Sequence, residues 1–196
     1  PKNLSIVATM NTSDESVYFM DSAFKRRWQF KYIGADHGAD NTNFEQVSAR
    51  VKYNADNEEC EISWNCLRQS INLFMIDNAK TIRGIEDKQI GLWFVKANNG
   101  AISEADITFK LMHYLWDNVF ARDKKPLRDL LTVETNKHEQ DSYGNPKFRS
   151  RTDAELATFG QFVKLKDEFV TKVLAQCPCE EPECTEAEVV APTKAE

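Results

Sequence analysis

The stretch VATMNTSDESVYFMDSAFKRRWQF, residues 7–30, decides how the chain is read. A β-prone apolar run, residues 3–10, ends in the polar cluster Asn11-Thr12-Ser13-Asp14. A helical pattern follows over 16–27, with Ser16 as N-cap and Val17, Met20 and Phe24 on one stripe. It finishes in Lys25-Arg26-Arg27, and the alternating run WQFKYI, 28–33, begins at once. Strand, helix, strand is the order of an α/β unit. Open α/β sheets bind ligands beyond the carboxyl ends of their strands, which is where Asn11 falls.

Working outward, the pattern turns helical. After a turn-rich loop over 34–43, a short helix is expected over 44–53 and a stronger one over 62–79, with Trp64, Leu67 and Ile71 at helical spacing. The stretch DKQIGLWFVKANNG reads as short extended chain closed by a turn. Ser103 with Asp106 forms a capping-box pattern, and Ile107, Leu111, Leu115 and Val119 then line one face. Pro126 suits the first turn of a further helix. Residues 134–151 read as a loop. Thr152 with Glu155 would cap a last amphipathic helix carrying Leu156, Phe159, Phe162, Phe169 and Val173.

Of 196 residues, 41% are hydrophobic and 29% charged, as in ordinary globular proteins. The net charge of −6 is concentrated at one end: residues 177–196 hold six Glu and one Lys, a net of −5, which leaves −1 for residues 1–176. A near-neutral body carries no bulk nucleic-acid signature. No apolar run reaches the about 18 residues of a membrane helix. The Pro- and Glu-rich tail is expected to be disordered. Cys177, Cys179 and Cys184 have the wrong spacing for zinc, so no metal is expected. Cys60 and Cys66 are expected to be reduced packing residues, and the odd total of five Cys points to a cytoplasmic location. The chain opens directly on a buried-looking strand and is read as the C-terminal piece of a longer protein.

The chemistry of residues 11–27 has two readings. Asn11 could hold a water or a phosphate oxygen, with Thr12 and Asp14 ordering the loop, or the cluster could be an Asx-type turn. The three cations could complement a helix dipole, worth roughly 0.3 to 1 kcal/mol each. They could equally stabilise a transferring phosphoryl group.

TMNTSDES followed by DSAFKRRW resembles the second half of a McrB-like AAA+ nucleotidase, the motor subunit of modification-dependent restriction systems. Asn11, Thr12, Asp14 and Ser16 match the family's N-T-x-D-x-S signature, whose Asn senses the γ-phosphate. Asp21, Ala23, Lys25, Arg26, Arg27 and Trp28 match the helix that ends in its arginine finger, which carries over onto Arg26 and Arg27. WNCLRQSIN, DKQIGLWFVKA and KLMHYLWDNVF resemble blocks of the family's helical lid. Glu15 departs from the Arg of many relatives.

The resemblance implies an α/β remnant of an AAA+ core over 1–35 and a mainly α-helical lid over 36–133. A loop and amphipathic helix over 134–176 and an acidic tail over 177–196 complete the expected organisation. It also implies hydrolysis of GTP or ATP with Mg²⁺, a homo-oligomeric ring, a McrC-like endonuclease partner, and DNA reached through the whole complex, away from membranes. The sequence G-x-x-x-x-G-K-(S/T) is absent, since no Gly here precedes Lys, and so is an apolar strand ending in Asp-Glu. The main phosphate and Mg²⁺ ligands are therefore expected outside this chain, which alone is expected to be inactive. The alternative is a non-hydrolysing oligomerisation or interaction module.

Overall fold

Residues 50–63 alternate between buried and exposed, and that period of two builds a hairpin. The computed structural model describes residues 3–9, 21–41, 45–56, 58–131, 156–176 and 183–186. Strand β1 (Arg50–Ala55) pairs antiparallel with β2 (Glu58–Ser63), in register from Arg50↔Ser63 to Ala55↔Glu58. Val51, Tyr53, Cys60 and Ile62 enter the core, while Lys52, Asn54 and Glu59 face solvent. Asp56 turns the chain in the left-handed region at φ 50°. A third strand, β3 (Glu183–Glu186), lies antiparallel on the other side of β2.

These strands correct three expectations. The helix expected over 44–53 is confined to α2 (Glu45–Ser48), because Val51 and Tyr53 follow the strand period. The tail is not uniformly disordered, since residues 183–186 form β3. Cys60 is not a reduced packing residue: it forms a disulfide with Cys184 across the β2–β3 pair, and Cys66 is disulfide-bonded as well. Composition counts core-forming residues and misses a cross-link between positions 124 apart in sequence.

The first segment also differs from its pattern. Residues 3–9 and 28–33 form no strand among the described residues, and the helix there is the single turn α1 (Ser22–Lys25). Strand patterning reports sidedness, but a strand exists only where a neighbour takes its backbone hydrogen bonds. Leu4, Ile6, Val7, Phe30, Tyr32 and Ile33 are exposed accordingly.

The body of the molecule is organised by α3 (Trp64–Asp77), close to the expected 62–79. Ser63 caps it, its Oγ accepting from the Cys66 N–H at 3.1 Å. Three polar side chains on its core face, at i, i+4 and i+8, hold segment 90–97, which is not the extended chain expected: it turns at 92–93, the Phe94 N–H donating to the Gly91 carbonyl at 3.1 Å. Trp64 Nε1 donates to the Leu92 carbonyl at 2.8 Å. Asn72 satisfies both backbone groups of one residue: its Nδ2 donates to the Ile90 carbonyl at 2.9 Å and its Oδ1 accepts from the Ile90 N–H at 2.7 Å. Arg68 Nη1 adds a bond to the same carbonyl at 3.2 Å. Gln46, buried on α2, repeats the device further along, donating to the Val95 carbonyl and accepting from the Ala97 N–H, both at 2.8 Å.

Beyond the one-turn helix α4 (Ile85–Lys88), a helical rod runs over 104–119. Its segments Asp106–Met112 and Leu115–Val119 are π-wound. Ser103 caps it as expected, its Oγ accepting from the Asp106 N–H at 3.1 Å. Ile107, Leu111, Leu115 and Val119 are all buried. Their spacing of four exceeds the about 3.6 residues of an α turn, so on pure α winding the stripe would rotate away from the core. The wider π turns bring it back.

Pro126 lies in the first turn of α5 (Lys125–Leu131). The last helical pattern is broken at Leu165 into α6 (Phe159–Lys164) and α7 (Lys166–Gln176). The capping box there is Thr158 with Gln161, while Thr152 and Glu155 lie outside the described residues. Helix α7 packs on α3, α5 and β1. No helix among the described residues is long and apolar enough to cross a membrane.

Replacing Asn72 with Ala would orphan the Ile90 N–H in the core. A buried unsatisfied donor costs about 1 to 3 kcal/mol, so the denaturant midpoint is expected to fall by the equivalent of about 2 kcal/mol. A loss under about 0.5 kcal/mol, the scatter of ordinary surface substitutions, would show that water replaces the amide.

Candidate functional site

Asp21 starts the segment that carries the cations. Its Oδ1 accepts from the Ala23 N–H at 3.0 Å, so α1 has a true N-cap. At the other end, the N–H groups of Arg26, Arg27 and Trp28 fold back onto the carbonyls of Ser22, Phe24 and Lys25 at 3.2, 3.0 and 3.2 Å. The rings of Phe24 and Trp28, one turn apart, meet at a tilt of 40° with centroids 5.8 Å apart. Lys25, Arg26 and Arg27 are thereby displayed on consecutive positions of a tight turn, all three exposed. Arg26 and Arg27 have no side-chain partner among the described residues. A helix of four residues has little macrodipole for three cations to complement. The helix-end explanation of the cluster is weakened by that shortness.

Asn11, Thr12 and Asp14 lie outside the described residues. Their expected position next to the cations is therefore a matter for the proposal below.

Sequence reading did not single out Arg68. This arginine is fully buried in α3, and its guanidinium joins the segment 34–41 to the helical body. Nη1 donates to the Ala35 carbonyl at 3.3 Å. Nη2 donates to Asp36 Oδ1 at 2.8 Å and to Asn65 Oδ1 at 2.7 Å. Asp36 itself is 76% exposed, so the pair straddles the surface. Segment 34–41 is a run of turns, with His37, Ala39 and Asn41 donating back to Gly34, Asp36 and Gly38. The signal that could have found Arg68 is a cation in register with the apolar stripe of α3, four residues after Trp64 and four before Asn72.

Two other places concentrate charge. A groove of about 610 Å³ between the rod and α6–α7 is lined by Glu104, Thr108, Phe109, Lys164 and Lys166, among others. Lys166 Nζ lies 2.7 Å from Glu104 and 3.2 Å from Asp167. Burial pulls the Lys166 pKa down, but hydrogen bonds to Glu104 and Asp167 outweigh it and the net shift is upward. Those charges neutralise one another and present no converging nucleophile and base.

Lys124 is different. Its ammonium caps the rod by donating to the carbonyls of Trp116 and, at 2.9 Å, Phe120, and lies 4.5 Å above the Trp116 ring. Burial lowers its pKa, partly countered by Asp117 and reinforced by Arg128. Its role is to end a helix. Among the described residues no group of three or more His, Cys, Asp or Glu could hold a metal ion.

The chain is similar to a bacterial restriction-enzyme component. It is 34% identical over 137 residues to the Type II restriction enzyme BsuMI component YdiS of Bacillus subtilis (strain 168). The match takes in 69% of this chain and 36% of that relative, so the chain spans about a third of the relative's length. No family model matches the chain, and no solved structure does.

Because Arg26 and Arg27 are exposed and have no side-chain partner among the described residues, replacing both with Ala is expected to change folding stability by less than about 0.5 kcal/mol. Thermal unfolding of the double variant checks this. A clear drop in melting temperature would show that the cations brace the fold instead of being held free.

Proposed function

We propose that this chain supplies the sensor, the arginine finger and the helical lid of a nucleoside-triphosphate-driven motor subunit in a restriction system. The observation that carries the reading is the pair of exposed guanidinium groups at the end of α1, which have no side-chain partner among the described residues. Similarity to a restriction-enzyme component supports the biological setting. The fold proposed is an AAA+ α/β remnant over 1–35 followed by the lid. The exposed Leu4, Ile6, Val7, Phe30, Tyr32 and Ile33 support it, because strands of an open sheet need neighbours to cover such side chains.

The proposed nucleotide is GTP or ATP with Mg²⁺. The residues present fit part of such a group. Two planar guanidinium forks suit the outer oxygens of a triphosphate, while the cradle for its inner phosphates has no counterpart in the sequence. When bound, the nucleotide supplies the phosphoryl group and the metal the charge that holds it. The chain's own contribution is electrostatic and positional. Arg26 or Arg27, reaching from one subunit of a homo-oligomeric ring into its neighbour's site, would neutralise charge that grows on the γ-phosphate oxygens. Asn11 would orient a water or a phosphate oxygen without adding charge, with Thr12 and Asp14 holding its loop. Turnover would drive DNA past an endonuclease subunit of the McrC-like kind.

The Arg26→Lys/Arg27→Lys double variant, made in the intact protein with its phosphate-binding loop, tests the finger. Charge is kept but the fork is lost, so the protein is expected to fold and bind nucleotide yet turn over about 10³- to 10⁵-fold more slowly. Mixed with a subunit whose phosphate loop is dead but whose arginines are intact, it is expected to regain turnover. Mixed rings that form and stay inactive would refute a finger acting in trans. Asn11→Ala is expected to lower turnover far more than nucleotide affinity, because a sensor acts on the transition state. Weakened binding at unchanged turnover would instead mark a structural turn.

A further inference from the structure

Strand β3 is badly matched to the strand it joins. It is four residues long, and its register sets Glu186 opposite Glu58 and Glu183 opposite Glu61. Like charges directly across an antiparallel pair destabilise it. Neither β3 nor its partner positions on β2 offer an apolar cross-strand pair to compensate; the cysteines at the centre are joined instead. Two cations soften the repulsion, Arg50 Nη2 lying 3.4 Å from Glu183 and Lys52 Nζ 3.2 Å from Glu61 and 2.6 Å from Glu59, but these side chains reach solvent and such pairs contribute little. What holds the strand is the covalent bond between Cys184 and Cys60.

We propose that β3 is a redox-controlled latch on the edge of the sheet: the Cys60–Cys184 bond keeps it paired with β2, and a dithiol reductant releases it. A thiolate of the reductant attacks the exposed Cys184 sulfur, and Cys60 leaves as thiolate. The reductant's second thiol then resolves the mixed disulfide and carries away the new disulfide. Two electrons and two protons pass to the protein, leaving thiols at Cys60 and Cys184. The fold tolerates this, because the Cys60 site is fully buried and a free thiol packs there as a small apolar side chain. Release uncovers the backbone donors and acceptors of Glu58–Glu61 along one edge, and an open edge is a place where another strand can add.

Hydrogen exchange on the intact chain reads the latch directly. Amides over 58–61 are compared in oxidised protein, in protein treated with dithiothreitol, and in Cys184→Ser, with α3 as the reference. Cys184→Ser separates this bond from the one at Cys66, which dithiothreitol also breaks. Reduction and substitution are each expected to speed exchange over 58–61 roughly tenfold or more while α3 stays protected. Glu58→Gln with Glu61→Gln, added to Cys184→Ser, is expected to slow it again by removing the repulsion. Unchanged exchange on reduction would overturn the proposal by showing that β3 pairs unaided. Lost protection throughout α3 would overturn it too, since the bond would then be supporting the whole fold.

Discussion

Everything in the helical body leans on how segment 90–97 is held. It turns at 92–93 and bends at 94–95, it buries Ile90, Leu92 and Val95 while Trp93 and Lys96 stay exposed, and among the described residues it has no strand beside it. Its backbone polar groups nevertheless need partners, because burying one bare costs more than most contacts return. Trp64, Arg68, Asn72 and Gln46 provide those partners from two helices. Side chains thus do what a neighbouring strand does elsewhere. The apolar side chains Ile90, Leu92 and Val95 can then pack into the core without stranding their own amides.

The same ladder of side chains reaches the functional segment. Arg68 bonds the Ile90 carbonyl on one side and Ala35 and Asp36 on the other. The turns over 34–41, which follow Lys25-Arg26-Arg27 in the chain, are therefore tied to the same helix that organises the helical body. Within the proposed reading, Arg68 is a positioning residue: buried and permanently engaged, unlike the exposed and unengaged Arg26 and Arg27.

How much of this was legible depended on the range of the signal. Helix α3, the Ser103 cap and the stripe from Ile107 to Val119 were readable because each rests on residues about one turn from the next. The start of the hairpin at Arg50 was not, because over a few residues Val51 and Tyr53 fit a helical stripe as well as a strand. Strand β3 and its disulfide were hidden by distance along the chain, and by a tail whose composition suggests no structure. The buried amides of Gln46 and Asn72 look like surface residues by type, so only their partners reveal them. At the site, the adjacency of Arg26 and Arg27 was visible in sequence, whereas their lack of side-chain partners among the described residues and the shortness of α1 emerge only in the fold.

The π winding of the rod has a consequence for chain length. A π turn holds an additional residue compared with an α turn. Removing one residue from Asp106–Met112 can be absorbed by tightening that segment to α winding, leaving Leu115 and Val119 near their places. Helix α3, wound as α throughout and gripped at three successive turns, has no such slack: a deletion there would turn Arg68 or Asn72 away from the peptides they hold. Two helices of similar length, both contributing to one core, thus differ in kind, one able to lose a residue during evolution and the other fixed in its count.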